Sequence, residues 1–249
     1  MSTVLILDWD GTLCPTPHLR SVLRTVKSPE TKKRLYAFMD GAAELLASLM
    51  KFIEQSNVNA YIVTDSPEGW VLELAKAFFP QIVPFFSDNR IQVRHTSVIK
   101  TVQREQTQHL SVMEKMLNSK LPTFREILIA HHQQYGIKPK LISIGDSVIE
   151  HLAASECLKQ SLVDQIQIIK FQTGLSLDLW QKQIVTLKSL LKKMINRTEC
   201  DSGSHRFDLD ETKWICETEL PKTMTCFYSP RSSFLLDNNQ NMYRPVQCS

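Results

Sequence analysis

The sequence predicts an α/β protein whose core is a doubly wound, mostly parallel β-sheet. Short runs rich in β-branched residues alternate with longer stretches of helical periodicity through the first two thirds of the chain, as in parallel sheets joined by crossover helices. Runs that are apolar throughout, such as Val4–Leu7, are typical of strands covered on both faces. With 249 residues, of which 43% are apolar, the chain is long enough to bury a full core.

The short apolar runs predict strands at Thr3–Leu7, Ala60–Val63, Ile91–Arg94, Leu141–Ile144 and Gln165–Phe171. Helical periodicity predicts crossover helices at Ala42–Gln55, Glu68–Phe79, Thr101–Leu117 and Phe124–Tyr135. Ligands of a doubly wound sheet bind at the carboxyl ends of the strands, where the strand order reverses. Residues that directly follow a strand are therefore the first candidates for a functional site.

The residue composition and the hydrophobic pattern of the chain change near residue 175. We predict a core over residues 1–175, with a polar insertion at 95–122 and a minimal cap, and an appendage over 176–249. The appendage begins with a basic amphipathic helix, Ile184–Ile195. Such a helix suits either a docking element with a solvated face or a helix that lies on an anionic membrane surface. Beyond it the tail shows few periodic apolar residues and no motif.

Charge and cysteine content narrow the class of protein. The formal net charge of +3 is too small to favour a nucleic-acid partner. No apolar run has the length that crosses a bilayer, and no secretory leader is evident. The six cysteines form no C-x-x-C pair, which favours free thiols in a reducing compartment over disulfides or a zinc site. We therefore expect a cytoplasmic protein.

Carboxylates and a hydroxyl follow the predicted strands directly. Asp8 and Asp10 follow the first strand, Thr64 follows the second, and Asp146 and Glu150 follow the fourth. In a parallel sheet these strand ends share one edge, so the side chains are expected to converge. Acids held together in this way repel one another unless a cation lies among them. The pattern predicts a metal site at this edge.

In this order, the segment Asp8–Leu13 (DWDGTL), Thr64 and the segment Gly145–Glu150 (GDSVIE) resemble three motifs of the haloacid dehalogenase superfamily, and within it the phosphatases. The resemblance covers residues 3–171. It implies a Rossmann-like sheet, a Mg²⁺ cofactor and hydrolysis of a phosphomonoester through an aspartyl-phosphate intermediate.

The resemblance also implies a role for each acid. Asp8 is the expected nucleophile, and Asp10 is expected to protonate the leaving oxygen and then to activate water. The expected Mg²⁺ ligands are Asp8, Asp146 and the main-chain carbonyl of Asp10, with Glu150 orienting the cation directly or through water.

Substrate contacts and one more cation complete the expected site. The candidates for contact with the substrate are Trp9, Thr64, Asp65 and Ser66, the last three at a helix N-terminus where amides bind phosphoryl oxygens. The superfamily also places a Lys at a third motif. The position that aligns best is Arg125, and Lys100 and Arg94 are the alternatives.

The expected substrate follows from Asp10 and from the limited space for a cap. The ion-pumping ATPases of the superfamily carry Thr where this chain has Asp10, so Asp10 favours hydrolysis. The chain leaves little room for a large lid, and Pro15 after the first motif resembles the small magnesium-dependent protein phosphatases. We therefore expect a phosphorylated protein or peptide as substrate, with a preference for phosphotyrosine.

Other readings of the sequence stay open. The segment Glu68–Trp70 after the second motif resembles protist and bacterial-effector members of the superfamily, which would imply delivery into a host cell. A phosphatase of a small-molecule or lipid phosphate is the first alternative. The second is a non-catalytic scaffold of the same fold whose C-terminal part serves as a targeting or binding module. The sequence does not indicate an oligomeric state.

Overall fold

The computed structural model describes residues 2–25, 29–88, 90–96, 112–174, 176–196, 205–208 and 213–216. Residues 97–111 of the predicted insertion, Lys100 among them, and most of the predicted tail lie outside the described residues. The strands are β1 (Thr3–Leu7), β2 (Asn59–Thr64), β3 (Gln92–His95), β4 (Lys140–Gly145), β5 (Gln165–Lys170), β6 (His205–Asp208) and β7 (Lys213–Cys216). The helices are α1 (Thr16–Thr25), α2 (Pro29–Gln55), α3 (Trp70–Phe78), α4 (Val83–Ser87), α5 (Val112–Tyr135), α6 (Val148–Lys159) and α7 (Leu177–Asn196).

The strands form one sheet in the order β3-β2-β1-β4-β5-β6-β7. Strands β1 to β6 are parallel, and β7 pairs with β6 in antiparallel orientation at the edge of the sheet. This confirms the predicted α/β class and the Rossmann-like, mostly parallel sheet. The strand order reverses at β1, which has β2 on one side and β4 on the other. Leu7 at the end of β1 pairs with Ile62 and with Ile144, so the three strands end side by side.

The central strand β1 is buried on both faces. Leu5 and Leu7 pack into a core with apolar side chains of α2 and α7, whereas Val4 and Ile6 pack into a second core with α5 and α6. Each fully buried side chain of this kind contributes about 1.5–3 kcal/mol of hydrophobic stabilisation. The uninterrupted apolar run of β1 is therefore explained by helices on both faces of the sheet.

Helix α7 belongs to the core and does not begin an appendage. Trp180, Ile184 and Leu187 are buried in the same core as β1, and the Trp180 indole Nε1 donates a hydrogen bond to the Thr12 carbonyl at 2.7 Å. The predicted boundary at residue 175 is wrong for this helix. A helix that lies on a membrane buries its apolar face in lipid, whereas that face of α7 is already covered by protein.

The structure also differs from the predicted boundary at Pro122, which lies inside helix α5. The sequence predicts a break at Pro122 between two helices, but a single helix runs from Val112 to Tyr135 with Pro122 inside it. Leu121 and Phe124, on either side of the proline, are buried against the sheet. Residues 112–122 are therefore part of a core helix and not of a polar insertion.

No helix among the described residues has the length and apolar character needed to cross a membrane.

Candidate active site

The loop after β1 is a tight turn that begins with Asp8. The Asp8 amide donates to the Ile144 carbonyl at 2.8 Å, which continues the pairing of β1 with β4. The Cys14 amide then donates to the Trp9 carbonyl and the Gly11 amide to the Cys14 carbonyl, both at 2.8 Å. The turn folds the chain back on itself and leaves the two acids at the carboxyl edge of the sheet.

Gly11 brings this loop against the loop after β4. Its φ of +82° lies in the left-handed region, which favours glycine. A Cβ atom at this position would lie 2.3 Å from Oδ2 of Asp146, far inside van der Waals contact. Gly11 is required both by its backbone conformation and by the approach of the Asp146 carboxylate.

The carboxylate of Asp10 turns towards β2. Its Oδ2 accepts hydrogen bonds from the Thr64 hydroxyl at 3.3 Å and from the Ser66 hydroxyl at 2.5 Å, and the Thr64 hydroxyl accepts the Ser66 amide at 3.1 Å. Its Oδ1 is buried and has no hydrogen-bond partner among the described residues. The structure thus brings Asp10, Thr64 and Ser66 together and leaves one carboxylate oxygen available for a ligand.

The cation of the site is Lys120, which the sequence analysis missed. Its Nζ donates to Oδ1 of Asp8 at 2.6 Å and also to Oε1 of Glu150, and all three side chains are buried. Burial alone lowers the pKa of an amine, but the carboxylates of Asp8 and Glu150 outweigh it and raise the pKa of Lys120 above its ordinary value. We assign Lys120 as an ammonium because it contacts two carboxylates.

Glu150 is used to hold other groups in place. Its Oε1 accepts from Lys120, and its Oε2 accepts the Ser147 amide at 3.1 Å. Ser147 in turn accepts the Ile149 amide at 3.0 Å, so that Ser147 and Glu150 form a capping box at the start of α6. Both carboxylate oxygens of Glu150 are engaged, which argues against the predicted role of Glu150 as a metal ligand.

The carboxylates of the site share an excess of negative charge. Burial raises the pKa of Asp8 well above its ordinary value, Lys120 acts against this rise, and Glu150 and Asp146 add to it. Burial, with Glu150 next in importance, raises the pKa of Asp146 to about 6. The charges of Lys120 and Lys170 act against this rise, and the Nζ of Lys170 donates to the main-chain carbonyl of Asp146 at 2.7 Å. An additional cation would therefore stabilise the ionised site.

The donors that remain suit Mg²⁺. Among the described residues, no group of three or more His, Cys, Asp or Glu side chains is arranged to hold a metal ion. Both carboxylate oxygens of Glu150 and Oδ2 of Asp10 accept hydrogen bonds from the protein, so Asp8 and Asp146 are the carboxylates that remain as candidates. Mg²⁺ is commonly held by one or two carboxylates together with waters and substrate phosphate, so these residues fit that ion.

Arg125 lies outside the cluster of Asp8, Glu150 and Lys120, so the structure does not bring it to the position predicted for the catalytic cation. Its Nε donates to Oε1 of Gln160 at 2.8 Å in an exposed contact between α5 and α6. The alternative Arg94 is also exposed and donates to Gln92 at 2.9 Å. Local propensity predicts a helix boundary at Pro122, and this boundary places the Ser119-Lys120 pair in the predicted insertion instead of on the core helix. A lysine close to that proline was the available signal.

One predicted substrate contact, Trp9, also lies elsewhere. Trp9 is fully buried in the core and packs edge-on against Phe86, with ring centroids 6.1 Å apart, so it does not face a substrate. Oδ1 of Asp65 accepts hydrogen bonds from Thr96 and Ser119, whereas the contact predicted for this residue is made by its main-chain amide, which stays a candidate. Thr64 and Ser66 remain candidates for contact with phosphoryl oxygens.

A comparison of the chain with protein-family models, with curated proteins and with solved structures finds no match. The assignment of a function therefore depends on the residues and contacts of this chain.

Proposed function

We propose that this protein is a Mg²⁺-dependent phosphomonoester hydrolase that works through an aspartyl-phosphate on Asp8. The observation that carries the proposal is the ion pair between Lys120 and Asp8, which lies beside the Asp10 carboxylate at the point where the strand order reverses. A buried nucleophile, a fixed ammonium and a second acid are the parts that phosphoryl transfer to a carboxylate needs.

In the first step a carboxylate oxygen of Asp8 attacks phosphorus and the bond to the leaving oxygen breaks. Lys120 fixes the plane of the Asp8 carboxylate and stabilises the charge that develops on the phosphoryl group. Asp10 gives its proton to the leaving oxygen, and Oδ1 is the atom available for this because Oδ2 is held by Thr64 and Ser66. When Mg²⁺ is bound, it supplies further neutralisation of the nucleophile and the phosphate.

In the second step water hydrolyses the aspartyl-phosphate. The ionised Asp10 takes a proton from the water, whose oxygen attacks phosphorus, and the carboxylate of Asp8 leaves. The products are inorganic phosphate and the original enzyme, with Asp10 protonated again. The hydroxyls of Thr64 and Ser66 hold Oδ2 of Asp10 during both steps, and the Ser66 amide holds the Thr64 hydroxyl.

The substrate we favour is a phosphorylated protein or peptide, with phosphotyrosine preferred. Arg20 on α1 lies over the Trp70 ring at the start of α3, with the guanidinium carbon 5.1 Å from the ring centroid. The segment from α1 into α2 is basic, with Arg20, Arg24, Lys27, Lys32, Lys33 and Arg34 against Glu30. A basic segment directly after the nucleophile loop supports a substrate with anionic groups around the phosphate.

The decisive experiment measures hydrolysis of para-nitrophenyl phosphate by the full chain with Mg²⁺, with EDTA and with the Asp8→Asn variant. We expect Mg²⁺-dependent turnover that EDTA and Asp8→Asn both abolish, whereas Asp164→Asn, an exposed acid at the opposite end of the sheet, keeps it. A folded protein without turnover would contradict the proposal and favour the non-catalytic scaffold, an alternative that Lys120 weakens because it supplies a lysine beside Asp8.

A substrate panel then separates the remaining alternatives. Phosphotyrosine and phosphoserine peptides with acidic or neutral flanks test the protein substrate, and sugar phosphates and phosphoinositide vesicles test the small-molecule and lipid alternatives. Preference for an acidic phosphotyrosine peptide supports our proposal. Faster turnover of a small metabolite or of a lipid phosphate would contradict the proposed substrate class and would be consistent with the proposed mechanism.

A further inference from the structure

Asp65 joins three elements next to the proposed active site. It directly follows Thr64 at the end of β2, and its Oδ1 accepts hydrogen bonds from the Thr96 hydroxyl after β3 and, at 2.8 Å, from the Ser119 hydroxyl on α5. Thr96 and Ser119 are buried. A carboxylate that binds two buried hydroxyls is a strong anchor, because hydrogen bonds to a charged acceptor are stronger than those between neutral groups.

The turn of α5 that Asp65 anchors is the turn that carries Lys120. Ser119 is the residue before Lys120, and Pro122 lies two residues after it. Proline has no N–H group, so the hydrogen bond that would reach the Asn118 carbonyl is missing, and the proline ring crowds that carbonyl as well. This turn is therefore weaker than an ordinary helical turn, and the bond from Ser119 to Asp65 gives it support from outside the helix.

Lys120 depends on the position of this turn. Its ammonium contacts Asp8 and Glu150, which come from two different loops, at the same time. A shift of the helix backbone by about 1 Å would break one of these contacts, and errors of that size cost an active site on the order of 100-fold in rate. We propose that Asp65 is a positioning residue that holds Lys120 against the nucleophile through Ser119. The effect on rate rests on the proposed function, whereas the effect on Lys120 itself does not.

A purely structural role for Asp65 makes different predictions. Asp65 also lies in the loop that carries Thr64 and Ser66, so its loss could act on Asp10 instead of on Lys120. In that case the rate would still fall when Lys120 has already been removed. If Asp65 acts through Lys120, the two losses are not additive.

The test uses Asp65→Asn, Ser119→Ala and Ser119→Thr, each alone and in a Lys120→Met background, with Asp164→Asn as the matched control. We expect Asp65→Asn and Ser119→Ala to lower kcat about 10-fold with little change in KM. We expect Ser119→Thr to keep a kcat close to that of the wild type, because threonine keeps the hydroxyl group. In the Lys120→Met background we expect no further loss. Equal losses in both backgrounds overturn the proposal.

A second measurement does not depend on activity. The buried ammonium of Lys120 is expected to give a protected ¹H–¹⁵N signal, identified by its loss in Lys120→Met. We expect this signal to broaden or disappear in Asp65→Asn and Ser119→Ala and to persist in Asp164→Asn. An unchanged signal, or its absence from the wild type, overturns the positioning role. A wild type without hydrolysis but with these changes contradicts the proposed function alone. If Asp65→Asn does not fold, Ser119→Ala carries the same test.

Discussion

The Nζ atom of Lys120 lies 2.6 Å from Oδ1 of Asp8, although the two residues are 112 positions apart in the chain. The contact joins the end of the central strand to the middle of a helix on one face of the sheet. Both side chains are buried, so neither charge is compensated by water. This pair, with Glu150 as the third member, determines the electrostatics of the proposed site and leads to the first prediction.

Replacement of Lys120 is expected to reduce both activity and stability. Lys120→Met leaves the carboxylates of Asp8 and Glu150 buried without their cation, a change that typically costs about 3–5 kcal/mol. We expect a large fall in thermal midpoint and a fall in phosphatase turnover of about 100- to 1000-fold, which leaves a residual rate that can be measured. Adding Glu150→Gln to Lys120→Met should recover part of the midpoint but not the turnover. Wild-type turnover in the protein that carries Lys120→Met alone would contradict the role of Lys120.

Replacement of Arg125 is expected to leave turnover unchanged. Its hydrogen bond to Gln160 is exposed and lies outside the cluster, and such surface contacts are worth less than about 1 kcal/mol. Arg125→Ala should therefore match the wild type in kcat and KM for para-nitrophenyl phosphate and lower the thermal midpoint only slightly. A strong loss of kcat in a normally folded Arg125→Ala protein would require another position for the helix.

Gly11 and Gly69 form a matched pair of glycines. Both have a positive φ, +82° and +84°, but a Cβ at Gly11 would meet Oδ2 of Asp146 at 2.3 Å, whereas a Cβ at Gly69 has nothing within 4 Å. Left-handed backbone alone costs an alanine about 1–2 kcal/mol. We expect Gly69→Ala to show only that loss in urea unfolding, and Gly11→Ala to lose more stability and nearly all turnover. Equal effects of the two changes would contradict the close approach of Asp146.

The stability of the metal-free protein is expected to depend on Asp146. Its pKa in the folded state is about 6, above the ordinary value of 3.8, so between these values the folded protein holds a proton that the unfolded chain has released. Stability from this group therefore falls as pH rises from about 4 to about 6. We expect Asp146→Asn, measured in EDTA, to become more stable than the wild type across this range.

The same variant gives a control for metal binding. A ligand that binds the folded state raises the thermal midpoint by mass action. Mg²⁺ should therefore stabilise the wild type at pH 7 and have little effect on Asp146→Asn. If Mg²⁺ leaves the wild-type midpoint unchanged at millimolar concentration, or if Asp146→Asn shows no pH-dependent gain in EDTA, the charge balance described for the site is incorrect.

The sequence determined the sheet and most of its carboxyl edge. The short apolar or β-branched runs marked five of the six parallel strands described, and β1, which is apolar because helices cover both of its faces, was predicted with the bounds that the structure shows, Thr3–Leu7. Asp8, Asp10, Thr64, Ser66 and Asp146 were found because each follows a strand closely, and parallel strands align their ends. These are local signals, and local spacing is enough to read them.

The tertiary structure decided the partners of those residues. Whether Trp9 faces substrate or core depends on the packing of the turn after β1, and the role of Glu150 depends on where Lys120 reaches it. Lys120 lies on a helix that continues through Pro122, a position where local propensity predicts a boundary and burial of Leu121 and Phe124 overrides it. A contact over 112 residues leaves no periodic trace in the sequence, because it depends on how the helix packs against the sheet.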